Sequence, residues 1–282
     1  MSLLLGFILS IFFEVDTEYG IGILTRKCRD YFIDHLNNDK QEHMGYGTVL
    51  MIAFCIGFFV LAVLILALAG TFSKILWFVL ETVMFSVTLK VGRGAKEAVK
   101  AYKDVMTDET QIKNICRNIA ETLNDNIIAP IIFMAFGGAS LAVLYRVAVS
   151  VKKELAKEEH YAFNRFAVRV YDIVNFIPQR LTAVLVLCAC RIWGYNYTDT
   201  IDAFWNARNR NDDKMIPSIF ESALGIKLYS HNDKFSDYMN ENPDEQISKI
   251  ADREDIKKSL KIESLAAAVM LLIGLLVRFS LG

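Results

Sequence analysis

The chain has 282 residues, of which 54% are hydrophobic and 22% charged, and its mean hydropathy is +0.31. A soluble globular domain already has about half apolar and a quarter charged residues, so the excess here points to a membrane environment. The 31 basic and 32 acidic residues give a net charge of −1 without a dense basic run, which excludes nucleic acid as a partner. We therefore expect an integral membrane protein with the lipid bilayer as its partner.

The N-terminal part of the chain predicts two or more membrane segments. Residues 3–13 are apolar and lack the basic start and cleavage site of a signal peptide, so we expect them to be retained. Residues 14–47 are polar with apolar residues at helical spacing, which predicts an interfacial amphipathic helix. Residues 48–70 carry no charge and can cross a hydrocarbon core about 30 Å thick. Residues 75–89 are apolar apart from Glu81 and either span the membrane or pack inside the protein.

The middle of the chain combines a basic segment with a broken apolar one. Residues 90–126 carry many lysines and arginines beside membrane segments, which predicts helical segments on the cytoplasmic side. Residues 127–150 are apolar but interrupted by a proline and by Gly137-Gly138, and both of their flanks are basic. A single crossing would place one basic flank outside the cytoplasm. We therefore predict two half-helices that enter and return on the same side.

The C-terminal part contains two more apolar stretches. In residues 170–193 we expect a first helical portion that ends before Pro178, because proline removes a backbone donor. Residues 194–262 are polar and predict further cytoplasmic helical segments, and residues 265–277 predict a final membrane helix. The sequence thus predicts an all-α, polytopic helical membrane protein with broken or re-entrant segments and cytoplasmic amphipathic helices, as a single integral membrane domain over residues 1–282.

Polar residues in or beside the apolar segments are the candidates for a functional site. The four histidines and five cysteines lack metal-ligand spacing, and the common catalytic motifs are absent, so we expect no metal site. Ionisable groups at membrane depth are costly unless paired, which indicates either a structural ion-pair network or a polar binding site between helices. The candidates are Asp125, Asn126, Arg146, Asp172, Asn175, Arg180 and Arg93.

Three of these candidates have alternatives that the sequence leaves open. Asp172 and Asn175 lie one helical turn apart, and the pair could hold a cation, bind a phosphate together with Arg180, or place Asp172 beside Arg146. Arg93 lies between two glycines and either approaches an anionic group or snorkels to the membrane surface, and snorkelling is the simpler interpretation.

Several motifs resemble the membrane core of the CobD/CbiB family. They are the run around Asn124-Asp125-Asn126, the pair Tyr145-Arg146, and Ile177-Pro178-Gln179-Arg180, and the order is similar over residues 120–228. The resemblance implies an ATP-dependent enzyme that forms the amide bond between adenosylcobyric acid and an amino-alcohol phosphate. It also implies that Asp125, Arg146, Asp172 and Arg180 derive from a site for phosphate and magnesium.

The chain also departs from that family in one segment. The family carries a polar Asn-Thr-Leu-Asp-Ser-Met stretch where residues 147–154 read Val-Ala-Val-Ser-Val-Lys-Lys-Glu. The chain is similar in other features to the AmpE-like inner-membrane proteins associated with beta-lactamase induction. These features are the apolar start, Gly92-Arg93-Gly94 and Tyr145-Arg146.

Together these resemblances lead to two expectations about function. The first is a multi-pass protein of the bacterial inner membrane with an AmpE-like regulatory, sensory or binding role, without catalysis and without a cofactor. Its partners would be a small anionic or phosphate-bearing ligand and a membrane or cell-wall-recycling protein. The alternative is a divergent CobD/CbiB-type cobalamin biosynthesis enzyme that uses ATP and magnesium. From the sequence we favour the first, because residues 147–154 have lost the family's polar groups.

Overall fold

The computed structural model describes residues 1–12, 17–34, 40–89, 91–103, 108–155, 161–207, 215–228 and 249–281, and these residues contain helices and connections but no strand. The helices are α1 (Ser2–Phe12), α2 (Thr17–Asp34), α3 (Lys40–Phe72), α4 (Lys74–Thr88), α5 (Val91–Lys103), α6 (Glu109–Thr122), α7 (Ala129–Leu155), α8 (Tyr161–Trp193), α9 (Tyr197–Ala207), α10 (Met215–Leu224) and α11 (Arg253–Leu281). A π-helical turn, Leu123–Ile128, joins α6 to α7. The all-α fold is confirmed.

Four helical stretches in the described residues are long and apolar enough to cross a membrane. They are Gly45–Phe72, Glu109–Leu155, Phe166–Trp193 and Arg253–Leu281. Two shorter apolar helices, α1 and α10, accompany them. This pattern of several long apolar helices confirms a polytopic helical membrane protein.

The chain forms two compact units, each built from separate stretches of sequence. The first unit comprises Met1–Gly92, Asp125–Pro178 and Met270–Gly282, and the second comprises Arg93–Asn124 and Gln179–Val269. Within the first unit, α1 packs against α4, while α7 packs against α2, α3 and α4. Within the second unit, α10 packs against α9 and α6. That the whole chain acts as one integral membrane domain stays a prediction.

The described residues of the polar segments contain helices, as their periodicity predicts. The interfacial helix expected over residues 14–47 corresponds to α2 and the first turns of α3, with residues 13–16 and 35–39 lying outside the described part. The segments 90–126 and 194–262 contain α5, α6, α9, α10 and the start of α11. The interfacial and cytoplasmic locations of these helices stay predictions.

The helix α7 folds back on itself at Gly138. This glycine has φ +70° and ψ −171°, which is not helical. Tyr145 donates from its hydroxyl to Asp125 Oδ1 at 3.1 Å, although the two residues are 20 positions apart in the sequence. A continuous helix would separate them by about 30 Å. Residues 129–137 and 139–155 therefore form two half-helices of a hairpin.

This hairpin confirms the broken segment predicted over residues 127–150. It also means that Glu109–Leu155 does not cross a membrane as one straight helix, although it is long enough to do so. The side of the membrane from which the half-helices enter stays a prediction.

The expectation that a helix ends before Pro178 is wrong. The helix α8 continues through this residue from Tyr161 to Trp193. Proline removes one backbone donor, but a membrane helix tolerates it where neighbouring groups satisfy the freed carbonyl. Pro178 is buried, in agreement with such packing. As a result Asp172, Asn175 and Arg180 all lie on one helix.

The reversal at Gly138 predicts a large cost for any side chain there. A Cβ atom at this position would lie 3.2 Å from Glu81 Oε1, and φ +70° is unfavourable for a residue with a Cβ atom. We expect Gly138→Ala to lower the free energy of unfolding by about 1–3 kcal/mol. Thermal unfolding of the purified protein in detergent measures this.

The matched control is Gly57→Ala in α3, where an added Cβ meets nothing within 4 Å. This variant should keep or slightly raise the melting temperature, because alanine is the better helix former. Equal melting temperatures for the two variants would contradict the assignment of Gly138 as the turn.

Candidate functional site

Three consecutive polar side chains of the π-helical turn are buried. They are Asn124, Asp125 and Asn126. A π-helical turn changes the direction in which successive side chains point and occurs frequently at functional sites. In the second unit, Asn124 Oδ1 accepts a hydrogen bond from Thr182 Oγ1 at 3.0 Å. Asp125 and Asn126 belong to the first unit.

The carboxylate of Asp125 is the centre of a buried hydrogen-bond network. Its Oδ1 accepts from the Tyr171 hydroxyl at 2.7 Å and from the Tyr145 hydroxyl at 3.1 Å, and Asn175 Nδ2 lies 3.4 Å away. Asn175 Nδ2 also donates to the Tyr171 hydroxyl at 2.6 Å. A buried carboxylate requires such donors, because it loses its hydration. We call these four residues the Asp125 cluster.

Two different helices place the donors around Asp125. Tyr145 belongs to the second half-helix of the α7 hairpin, and its ring stacks on that of Phe133 in the first half-helix with centroids 4.9 Å apart. Tyr171 and Asn175 belong to α8, where a separation of four residues puts them on the same helix face. The hairpin and α8 thus both have to be in place before the network can form.

Cationic side chains of the second half-helix of α7 lie beside this network. Lys153 Nζ lies 3.8 Å from Asp125 Oδ2, and Lys152 Nζ lies 4.3 Å from the centroid of the Tyr171 ring. Arg146 is buried and donates from Nη1 to Asn126 Oδ1 at 2.8 Å. Lys153 beside the carboxylate, Lys152 on the Tyr171 ring and Arg146 on the neighbouring Asn126 together favour an anionic ligand, such as a phosphate group.

The structure brings together four of the seven site residues that we predicted from the sequence. Asp125, Asn126, Arg146 and Asn175 lie in the network or directly beside it. Asp172 is partly buried one helical turn before Asn175.

The other two predicted residues belong to the second unit. Arg180 is partly buried on α8. Arg93 lies in the first turn of α5, but its side chain is outside the described part of the structure.

Sequence reasoning missed three residues of this site. Tyr171 lies one helical turn before Asn175, so the spacing in the sequence already places the two residues on the same helix face. Lys152 and Lys153 follow an apolar segment and were interpreted only as indicators of topology. Tyr145 was noted for its place in a family motif, but its partner could not be identified before the reversal at Gly138 was known.

The Asp125 cluster does not fit a divalent metal ion by itself. Its single carboxylate already accepts hydrogen bonds at Oδ1 and faces Lys153 at Oδ2. Magnesium prefers several hard oxygen ligands, with carboxylates among them. Throughout the described residues, no group of three or more His, Cys, Asp or Glu side chains is placed to hold a metal ion.

Comparison with known proteins identifies the family. The sequence profile of the family described as "CobD/Cbib protein" matches residues 19–263. The chain belongs to the CobD/CbiB family. It is 26% identical to "Cobalamin biosynthesis protein CobD" of Clostridium perfringens, over 61% of this chain and 56% of that protein.

Other relatives carry similar names. The chain is 26% identical to "Cobalamin biosynthesis protein CobD" of Citrobacter koseri, over 61% of this chain and 57% of that protein. It is 29% identical to "Probable cobalamin biosynthesis protein CobD" of Pyrococcus furiosus, over 55% of this chain and 50% of that protein. The chain thus spans about half the length of the curated relatives it matches. No solved structure matches it.

These matches correct our expectation about function. The AmpE-like regulatory role without catalysis, which we favoured from the sequence, is wrong, because the family match and the named relatives favour the cobalamin alternative. The expectation depended on the altered residues 147–154. They lack the family's polar stretch, but Lys152 and Lys153 among them supply charge beside Asp125.

The hydrogen bonds to Asp125 predict an effect of removing one hydroxyl. Tyr171→Phe deletes the donor that lies 2.7 Å from Oδ1 and leaves a buried carboxylate less satisfied. We expect the free energy of unfolding to fall by about 1.5–3 kcal/mol, as for a hydrogen bond to a charged group. Unfolding by heat or denaturant in detergent measures this difference.

The control for this variant is Tyr197→Phe in the second unit, because the contact of that ring with Arg191 needs no hydroxyl. Its stability should stay within about 0.5 kcal/mol of the unmodified protein. If Tyr171→Phe were as stable as Tyr197→Phe, the network around Asp125 would not stabilise the fold.

Proposed function

We propose that this CobD/CbiB family member is a cobalamin biosynthesis enzyme of the bacterial inner membrane. Its reaction would be the one that the family resemblance implies, formation of an amide bond between adenosylcobyric acid and an amino-alcohol phosphate. The observation that carries the proposal is the Asp125 cluster with Lys152 and Lys153 beside it. A fixed carboxylate and adjacent cations suit a substrate that carries both an amine and a phosphate.

The carboxylate of Asp125 suits the amine end of such a substrate. An amine that attacks an activated carboxyl group must lose a proton as it becomes an amide nitrogen. Asp125 is held by Tyr171 and Tyr145 through Oδ1, so its Oδ2, which faces Lys153, is the oxygen in position to bind an ammonium group or accept that proton. Groups positioned in this way contribute about 10²–10⁴-fold to a rate.

The two lysines suit the phosphate end of the substrate. Lys153 is 39% exposed in its side chain and lies at the outer oxygen of Asp125, so it can exchange that contact for a phosphate oxygen. Lys152 lies over the Tyr171 ring, which keeps its ammonium group beside the cluster. Charge-assisted hydrogen bonds to phosphate are among the strong contacts that proteins make.

The family resemblance implies that ATP activates the carboxyl group of adenosylcobyric acid, so that the activating group leaves as the amide bond forms. The same lysines are the described cations that would contact the phosphates of ATP. The Asp125 cluster does not fit magnesium by itself, so we assign no step to a metal ion bound there. Asn126 and Arg146 act beside the site, since their hydrogen bond joins the π-helical turn to the second half-helix.

Complementation tests this proposal most directly. A bacterial strain that lacks adenosylcobinamide-phosphate synthase should grow without added cobalamin when it expresses this chain. Asp125→Asn keeps the shape of the side chain but removes its charge, and we expect the reaction rate to fall about 100-fold or more. The matched control is Asp202→Asn on the exposed face of α9, which should support normal growth.

Expression in the membrane has to be verified for each variant. Growth with the unmodified chain and with Asp202→Asn, but not with Asp125→Asn, would support the proposal. If the unmodified chain were present in the membrane and did not restore growth, the proposed reaction would be rejected.

A further inference from the structure

A charged pair with one buried partner lies in the first unit, and the side chain of the other partner, Arg278, is 30% exposed. Glu81 of α4 is 2% exposed, and Arg278 near the end of α11 donates from Nη2 to Glu81 Oε1 at 2.8 Å. Both residues come from apolar helices, where an ion pair is costly to bury and costlier still to break. The partners are separated by 197 positions in the sequence. Because such a pair is costly, we expect it to have a role in the fold or in the function.

The pair lies at the tip of the α7 hairpin. A Cβ atom on Gly138 would lie 3.2 Å from Glu81 Oε1 and 3.6 Å from Arg278 Nη1. Arg278 Nη1 also makes a long hydrogen bond of 3.4 Å to the carbonyl oxygen of Met134. This carbonyl belongs to the last turn of the first half-helix, where carbonyl groups lack helical donors and carry partial negative charge. One guanidinium group thus serves both Glu81 and the end of this half-helix.

The backbone of α11 approaches the same half-helix closely. A Cβ atom on Gly274 would lie 2.9 Å from Ile131 Cγ2 and 3.8 Å from Ala135 Cβ. Gly274 and Arg278 are four residues apart, so they lie on one face of α11. That face therefore contacts the first half-helix over a full turn, first through the glycine and then through the guanidinium group.

We propose that Glu81 and Arg278 are positioning residues, which hold the hairpin tip and thereby keep Asp125 and Tyr145 opposite each other. The tip is 13 residues from Asp125, or about 20 Å of helix, so the pair acts through the half-helices and not by touching the cluster. Its effect on turnover rests on the proposed function. Its effect on the geometry of the hairpin does not.

Hydrogen exchange in the full-length protein, purified in detergent, tests the geometry without reference to the reaction. The variants are Glu81→Gln, Arg278→Gln and the charge exchange Glu81→Arg with Arg278→Glu. We expect each single variant to raise the exchange rates of residues 123–128 and 139–150 about 10-fold or more, because Arg278→Gln leaves the buried carboxylate of Glu81 without its cation and Glu81→Gln removes the anion that holds the guanidinium group at the tip. The charge exchange should bring these rates back to within about 3-fold of the unmodified protein.

Two further variants keep the test decisive. The double variant Glu81→Gln with Arg278→Gln leaves no lone charge, so it reports on the loss of the pair even if a single variant does not fold. The control Glu109→Gln removes the same chemical group from the exposed pair of Glu109 with Lys113 and should change neither segment. Unchanged exchange in the double variant and in every folded single variant would overturn the proposal.

Kinetics distinguishes positioning from a general loss of stability. In membranes that catalyse amide formation, the single variants should lower kcat while KM for the amino-alcohol phosphate stays within about 2-fold, and Arg278→Lys should recover part of kcat. An equal loss of kcat in Glu109→Gln would contradict the assignment. If the unmodified protein catalysed no reaction but exchange responded as expected, the proposed function would fail and the positioning of the hairpin would stand.

Discussion

A carboxylate buried among apolar helices needs several donors, and the reversal of the chain at Gly138 brings one of them, Tyr145, to Asp125. The reversal brings Tyr145 from the second half-helix to the π-helical turn that carries Asp125. Without it, these residues would be about 30 Å apart on one helix. The helix α8 then completes the network with Tyr171 and Asn175. Every chemical property that we assign to the site follows from this arrangement.

The electrostatics of the site connect the fold to the proposed reaction. One oxygen of Asp125 is occupied by hydroxyl and amide donors, while the other faces a lysine that is partly exposed. Lys152 and Lys153 lie in the last turn of α7, where positive charge is also favoured by the helix dipole. The positive charges of Lys152 and Lys153 at this helix end therefore do not destabilise the helix. In a substrate with an amine and a phosphate, the amine matches the carboxylate of Asp125 and the phosphate matches the two lysines.

Much of the fold could be predicted from the sequence, because it depends on local patterns. Apolar length predicts the long helices, and Gly137-Gly138 with basic flanks predicts the broken segment. The cost of burying polar groups also identified Asp125, Asn126, Arg146 and Asn175. The pairing of Glu81 with Arg278 could not be predicted, because it joins residues 197 positions apart. The continuation of α8 through Pro178 depends on tertiary packing, which overrides the local preference of proline. The function could not be predicted from residues 147–154, because their residue types differ from the family's polar stretch. The sequence alone does not show that Lys152 and Lys153 lie beside the Asp125 cluster.

The central claim is that the two halves of α7 lie side by side, and a cross-link between them tests it most directly. Phe133 and Tyr145 stack with ring centroids 4.9 Å apart, whereas a continuous helix would separate these positions by about 18 Å. With the five native cysteines replaced, the variant Phe133→Cys with Tyr145→Cys should be joined within one chain by oxidation or by a short bifunctional thiol reagent. A pair with the same separation of 12 residues on one continuous helix, Val60→Cys with Phe72→Cys in α3, should not be joined. If neither pair were joined although all four thiols were accessible to the reagent, the hairpin and the site built on it would be contradicted.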